Sequence, residues 1–395
     1  MTGGVLIIEL VGGGFENKGD ELMLRAVVGR IGRTLPDVQF ASAPWTASYE
    51  DRSRCGFYQK LDNRTAGRIG VLIDLLMHRG YRRRYGVVTD AEISAVVDLS
   101  GFGYGDAWGP NAPERVTKHV RRLKKAGKKY IMLPQAFGPF TSEPIRRAFR
   151  EVARSADLIY ARDRLSLGYI REFCEPDQVV KLAPDITTDV PGVVPGNHAP
   201  GPGQVLVIPN AQMIRQTSQE LRSRYVPFMV NVIEEAAARG YRPAVFLHTR
   251  TYDDELARAI VAAYDHSIEM IREDDPFRSK GIIGQASLVV GSRYHSIVSA
   301  LSQGVPALAT SWSHKYPMLL EDYACPDGLL DPRATREELA RKFDAVLNEP
   351  DRSALIDRIR RAGEKQRRAL EAMWEEVTAR LREEVKPAIG NAGRS

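Results

Sequence analysis

"LVVGSRYHSIVSALSQGVPALAT", residues 288–310, decides the fold. A short apolar run ends at Gly291, a polar turn follows, and residues 296–303 read as a helix. After Gly304-Val305-Pro306 a second apolar run fills residues 307–310. Strand, glycine turn, helix and strand make the repeating unit of a parallel sheet, because parallel neighbours need a long crossover, usually a helix. The pattern extends outward on both sides. Upstream in the same half, residues 205–209 and 243–248 read as strands, with helices around 226–239 and 253–264. In the N-terminal half, residues 5–11, 96–99, 130–133 and 158–161 read as strands, and 20–33, 114–126, 145–154 and 163–173 as helices. "PGVVPGNHAPGPG", residues 191–203, is dense in proline and glycine and reads as the linker between the halves. The expected fold class is therefore α/β, two open parallel sheets with a ligand cleft between them. The expected boundaries are an N-terminal domain 1–190, a linker 191–203, a C-terminal domain 204–348, and a helical segment and tail 349–395. In that last segment Leu355, Ile359, Leu370, Met373, Val377, Leu381 and Val385 recur at helical spacing, the mark of a face packed back on the body.

Bulk properties narrow the function classes. The 395 residues carry 56 Lys and Arg against 50 Asp and Glu, a net charge of +6. That suits anionic small substrates or an acidic membrane surface, and without an aromatic-rich basic module it argues against nucleic acid. Cys55, Cys174 and Cys325 are odd in number and widely spaced, with neither a CxxC pair nor a metal-ligand spacing. A reducing, cytoplasmic compartment follows as the expectation. No apolar stretch reaches the length of a membrane span. One segment, residues 64–86, joins a Leu/Ile-rich stretch to Arg79, Arg82, Arg83 and Arg84. A basic amphipathic segment can dock on anionic lipid, although a charged end facing water is the commoner arrangement.

Candidate site residues lie where strands run into helices. Arg293, His295 and Ser296 follow the strand 288–290 at the mouth of a helix, where backbone N–H groups favour anions. Arg293 offers a planar fork for carboxylate or phosphate, and His295 a proton near neutral pH. Lys315 follows the next strand and returns to the same sheet edge. Arg162 ends the strand 158–161, Gln135 ends another in "LPQAFGP", and His248 ends a third in "FLHTR". Each has a structural reading too: a surface ion pair for Arg293, a capping or packing role for His295, and a satisfied core histidine at His248. The glycine-rich loop "GGGFENKGDELM", residues 12–23, looks like a phosphate cradle but carries Asp20 and Glu21 at the helix start. Carboxylates there stabilise the helix dipole and repel phosphate. Asn17 and Asp20 are placed instead to cap the helix or to meet a neutral hydroxyl.

Four motifs, "GGFENKGDE" (13–21), "LPQAFGP" (133–139), "ARDRLS" (161–166) and "SRYHSIVSALSQGVPALATSWSHKY" (292–316), resemble the polysaccharide pyruvyltransferase family. The resemblance implies a GT-B-like fold, two Rossmann-like domains facing across a cleft. It also implies transfer of a pyruvate unit from phosphoenolpyruvate to a sugar of a cell-envelope polysaccharide or glycolipid, forming a ketal. By that likeness Arg293 and His295 act catalytically on the donor and Arg162 helps hold its charges. Asp20, read as catalytic too, and Asn17 then fall to the acceptor, on the N-terminal side, and Lys315 to the departing phosphate. Gln135, Ser296 and His248 complete the substrate-binding set. The expectation includes no metal and no cofactor beyond the donor itself. The acceptor is a saccharide, lipid-linked variants included, and the basic segment 64–86 is the candidate contact with the inner face of the membrane. Phe102, in "SGFGYGD", stands where the family pattern leads one to expect glycine. Two other readings remain open: a nucleotide-sugar glycosyltransferase on the same fold, and a non-catalytic sugar-binding protein.

Overall fold

In the computed structural model the described residues are 5–61, 78–196, 203–249, 251 and 253–383. Residues 64–77 of the basic segment, 197–202 of the linker, and Val385 lie outside them. Contacts divide the chain into two compact units, one of Met1–Phe15, Met23–Ile186 and Glu371–Ser395, the other of Glu16–Leu22 and Thr187–Leu370. Three expected boundaries differ from this division. Residues 187–190 and the described part of the expected linker, 191–196, group with the second unit, where Val193 N–H donates to the Phe277 carbonyl at 2.9 Å. The loop and first helical turn at residues 16–22 group with the second unit, and the C-terminal segment does not form a body of its own. It is one long helix, Asp351–Glu383, whose Leu355 and Ile359 join the core of the second unit. Beyond Leu370 its side chains serve the first unit, where Lys181 Nζ binds Glu376 at 2.8 Å.

The first unit holds an eight-stranded sheet in the order β4-β3-β2-β1-β5-β6-β7-β8. The strands are β1 (Ile7–Val11), β2 (Gln39–Ser42), β3 (Tyr58–Lys60), β4 (Val87–Val88), β5 (Ala95–Asp98), β6 (Lys129–Gln135), β7 (Leu158–Ala161) and β8 (Val180–Leu182). Neighbouring strands run parallel throughout. The central strands are buried on both faces, so they read as nearly continuous apolar runs rather than alternating ones. Helices cover those faces; Phe149 on Glu143–Ser155 stacks on Phe140 with ring centroids 4.5 Å apart and meets Phe173 edge-on. Gly12, at φ +77°, closes the turn after β1, where a Cβ would lie 2.4 Å from the hydroxyl oxygen of Ser100. No side chain fits there.

The second unit holds a six-stranded parallel sheet in the order β11-β10-β9-β12-β13-β14. Its strands are β9 (Gln204–Ile208), β10 (Arg242–Leu247), β11 (Glu269–Arg272), β12 (Leu288–Gly291), β13 (Ala307–Thr310) and β14 (Leu329–Leu330). Each sheet reverses its strand order once, between β1 and β5 in the first and between β9 and β12 in the second. At such reversals the loops leave in opposite directions and open a crevice at the carboxyl ends of the strands.

Candidate functional site

The second sheet's reversal point carries most of the candidate residues. β12 ends at Gly291, and Arg293 precedes the helix Tyr294–Leu301, which puts His295 and Ser296 in its first turn. Arg293 is fixed by Asp253: Nε donates to Oδ2 at 2.7 Å and Nη2 to Oδ1 at 2.6 Å. Asp253 is wholly buried and also accepts from the backbone N–H of Ala211 at 2.8 Å. This bidentate pair is inside the fold and positions the arginine, in place of the surface ion pair considered from sequence. Behind it, Asn210 donates to the Ser292 carbonyl at 2.7 Å, as Tyr316 does at 2.6 Å, so the turn is held from two sides.

The segment 16–22 packs onto this turn. Lys18 N–H donates to the His248 carbonyl at 3.2 Å, Asn17 bridges to Thr249, and Thr251 N–H donates to Glu16 at 2.9 Å. Gly19 lies directly on the imidazole of His295; a Cβ there would stand 2.1 Å from Nδ1. Glycine is the residue that lets backbone and imidazole meet. Asn17 Oδ1 accepts from Gly19 N–H at 3.1 Å and so turns the chain into the helix Lys18–Thr34.

Asp20 consequently sits among cations. Burial raises its carboxyl above the ordinary aspartate value, against the opposing pull of His295, Arg293, Lys315 and the Asn17 hydrogen bond. Lys315 is nearly buried and lies over the Trp312 ring, 4.3 Å from its centroid, with the Tyr294 and Tyr316 rings beyond. The imidazole of His248 is held well below its ordinary value by burial first, then by the charges of Arg293, His295 and Lys18. Its Nδ1 is buried with no hydrogen-bond partner among the described residues.

The grouping differs from the expected one. Asn17 and Asp20, assigned from sequence to the acceptor on the N-terminal side, belong with Arg293, His295, Ser296, Lys315 and His248 in the second unit. Ser296 is not positioned as a binding group: its hydroxyl is buried and donates to the Arg293 carbonyl at 2.6 Å, as a helix-start residue does. Arg162 and Gln135 are in the first unit. Arg162 is 3% exposed and pairs with Asp185 at 2.8 Å, so a carboxylate already balances its charge. Gln135 is fully buried, and neither atom of its amide has a partner among the described residues. Asp253, Lys18 and Gly19 were missed from sequence. Only Gly19 carried a signal, as a glycine placed just before Asp20 in the first turn of a helix.

Where it is described, the basic segment shares a single carboxylate among three of its arginines and so keeps most of its positive charge. Arg79, Arg82 and Arg83, on or beside the short helix Arg79–Arg84, converge on Glu92 at 3.0, 2.8 and 3.3 Å. No helix among the described residues is long and apolar enough to cross a membrane. Nor do the described residues place three or more His, Cys, Asp or Glu side chains together for a metal ion.

Two parallel-sheet α/β units with C-terminal helices define a protein of the GT-B class, and solved structures agree. A putative UDP-N-acetylglucosamine 2-epimerase from Listeria monocytogenes superposes with a TM-score of 0.55 at 14% identity, covering 94% of this chain and 97% of that one. A glycosyltransferase from Rickettsia africae gives 0.56 at 11% identity, over 97% and 99%. A protein from Anabaena solved with UDP-glucose gives 0.57 at 11% identity, over 95% and 99%. At such identities the likeness speaks for the fold alone. A family model described as polysaccharide pyruvyl transferase matches residues 17–314. The chain belongs to that family. No curated protein sequence matches it.

Proposed function

We propose that the protein is a ketal-forming pyruvyltransferase that moves a pyruvate unit from phosphoenolpyruvate to two hydroxyls of a cell-envelope saccharide. The observation that carries this reading is the placing of Asp20, with its raised carboxyl, among His295, Arg293 and Lys315. A proton donor, a proton acceptor and cations beside one turn match what the reaction asks for. The donor's methylene carbon takes a proton from His295 and C2 becomes electrophilic. One sugar hydroxyl attacks C2, passing its proton to Asp20, and the bond from C2 to the phosphate oxygen breaks. The second hydroxyl closes the ketal. Of the two hydroxyl protons, one replaces the proton given to the methyl carbon and the other leaves with phosphate. Arg293, oriented by Asp253, holds the donor carboxylate, and Lys315 stands by the departing phosphate. No cofactor takes part in this scheme. A cytoplasmic site of action follows from the donor, and a lipid-linked acceptor would bring the protein to the inner face of the membrane.

In this reading donor chemistry is assigned to the second unit and acceptor recognition to the first. The experiment is mass spectrometry of cell-envelope glycans incubated with protein and phosphoenolpyruvate, together with a phosphate assay. A glycan gaining one ketal-linked pyruvate for each phosphate released supports the reading. The fold neighbour solved with UDP-glucose favours one competitor, a nucleotide-sugar transferase. Calorimetric binding of UDP or GDP with no response to phosphoenolpyruvate would establish that competitor instead.

A further inference from the structure

The first sheet's reversal point has its own cavity, of about 230 Å³, at the carboxyl ends of β1 and β5. Glu9, Lys60, His119, Arg115, Trp45 and Ser100 are among its lining residues. None of the first five belongs to a motif that carries the family resemblance. The floor is an ion cluster that a sheet interior seldom tolerates. Glu9 sits in the apolar strand "IIELV" at 2% exposure and holds Lys60 Nζ at 2.5 Å and His119 Nε2 at 2.6 Å. Lys60 is itself 1% exposed. Burying charges is costly, and replacing such a cluster by apolar side chains commonly leaves a protein as stable or more so. Stability alone therefore does not account for this trio on a cavity wall.

Size and charge narrow the occupant. Pockets that take drug-sized ligands begin near 300 Å³, so this cavity suits one ring and is too small for a nucleotide. Burial works to raise the Glu9 carboxyl, but Lys60 and His119 outweigh it and hold the group below the ordinary glutamate value. A lasting carboxylate on the floor repels anions. Lys60 is held by the Glu9 carboxylate, with the Asp90 carboxylate 3.4 Å away and the His119 ring beside it. Each Glu9 oxygen keeps a further lone pair, which calls for neutral donors such as hydroxyls. Trp45, half exposed, adds an apolar wall, and Arg115 on the helix Asn111–Lys125 adds a fork at the exposed side.

We propose that this cavity is a saccharide site for a single pyranose ring, its hydroxyls donating to Glu9 and its C–H face lying against Trp45. The choice of sugar over other polyols rests on the transfer reading above. The test is saturation-transfer NMR of the full-length protein with the methyl glycosides of glucose, galactose, mannose, N-acetylglucosamine and glucuronic acid. Inorganic phosphate serves as a competitor, and phosphoenolpyruvate binding is followed separately by calorimetry. At least one glycoside binds. Trp45→Ala weakens it about five- to tenfold, the scale of one lost aromatic contact, and leaves phosphoenolpyruvate binding as in wild type. Glu9→Gln, checked for folding by circular dichroism, abolishes glycoside binding. No glycoside binding, binding indifferent to Trp45→Ala, or displacement by phosphate would each overturn the proposal. Glycoside binding without phosphoenolpyruvate binding would defeat the transfer reading and leave the cavity standing; the reverse would do the opposite.

Discussion

Asp20 and His248 both feel the charges of Arg293 and His295 and respond in opposite ways. Burial lifts the Asp20 carboxyl above its usual range despite the favourable charges around it. As the proposed proton acceptor it must be ionised, so the acid limb of the rate profile is expected at higher pH than an ordinary aspartate would give. Asp20→Asn is expected to cut turnover about a hundredfold or more, the scale of lost general-base catalysis, with donor affinity retained. Equal turnover in the variant would remove Asp20 from the mechanism. For His248 the folded value is depressed. Stability that the neutral imidazole supports is present above the unfolded value, near 6.5, and is lost as pH falls below it, because only the unfolded chain then takes up the proton. The slope is at most about 1.4 kcal/mol per pH unit. Urea unfolding of His248→Gln should therefore lose less stability than wild type between neutral and mildly acid pH; parallel losses would contradict this. Asp20 was legible in sequence because two carboxylates at a glycine turn are out of place for a phosphate cradle. Its partners were not, since they stand more than two hundred residues away along the chain.

Local patterning fixes the elements that bear these residues. The run 288–310 has a full apolar strand on each side of a helix, and the structure places those elements within two residues of the reading. β2, β3 and β4 were not read. β3 and β4 have three and two residues, too few to display a period, and β2 (Gln39–Ser42) has polar residues at both ends rather than an apolar run. Phe102, the departure in the second glycine turn, is buried and packs edge-on against Trp108, with centroids 6.2 Å apart. Two substitutions test the turn after β12. Gly19→Ala drives a methyl group into His295, and activity should fall far more than melting temperature; an active alanine variant would show that the contact is not needed. Asp253→Asn leaves the Arg293 charge half-matched, at 11% exposure. A cost of about 3–5 kcal/mol is expected from breaking a buried pair, read by denaturant unfolding, and a change within error would contradict the clamp.

Over the whole molecule, two parallel sheets repeat one device, a reversal of strand order with polar groups at the carboxyl edge. In the second unit the device gathers Arg293, His295, Asp20 and Lys315. In the first it opens the cavity floored by Glu9. Two-unit α/β architecture was readable from the alternation of strands and helices, whereas the Pro/Gly stretch at 191–203 did not mark the division, which falls at 186/187. The allocation of residues 16–22 was not readable, because it depends on non-local contacts with Thr249, Thr251 and His295 that leave no periodic trace. The lone glutamate within "IIELV" was a visible anomaly whose partners, Lys60 and His119, were again distant in sequence. The most direct test of the central claim is incubation of isotope-labelled phosphoenolpyruvate with cell-envelope glycans and either wild-type protein or His295→Ala. Wild type is predicted to place the label on the glycan as a ketal with one phosphate released per label, and His295→Ala to do neither. Unlabelled glycan with wild type, or equal labelling by the variant, would contradict the account.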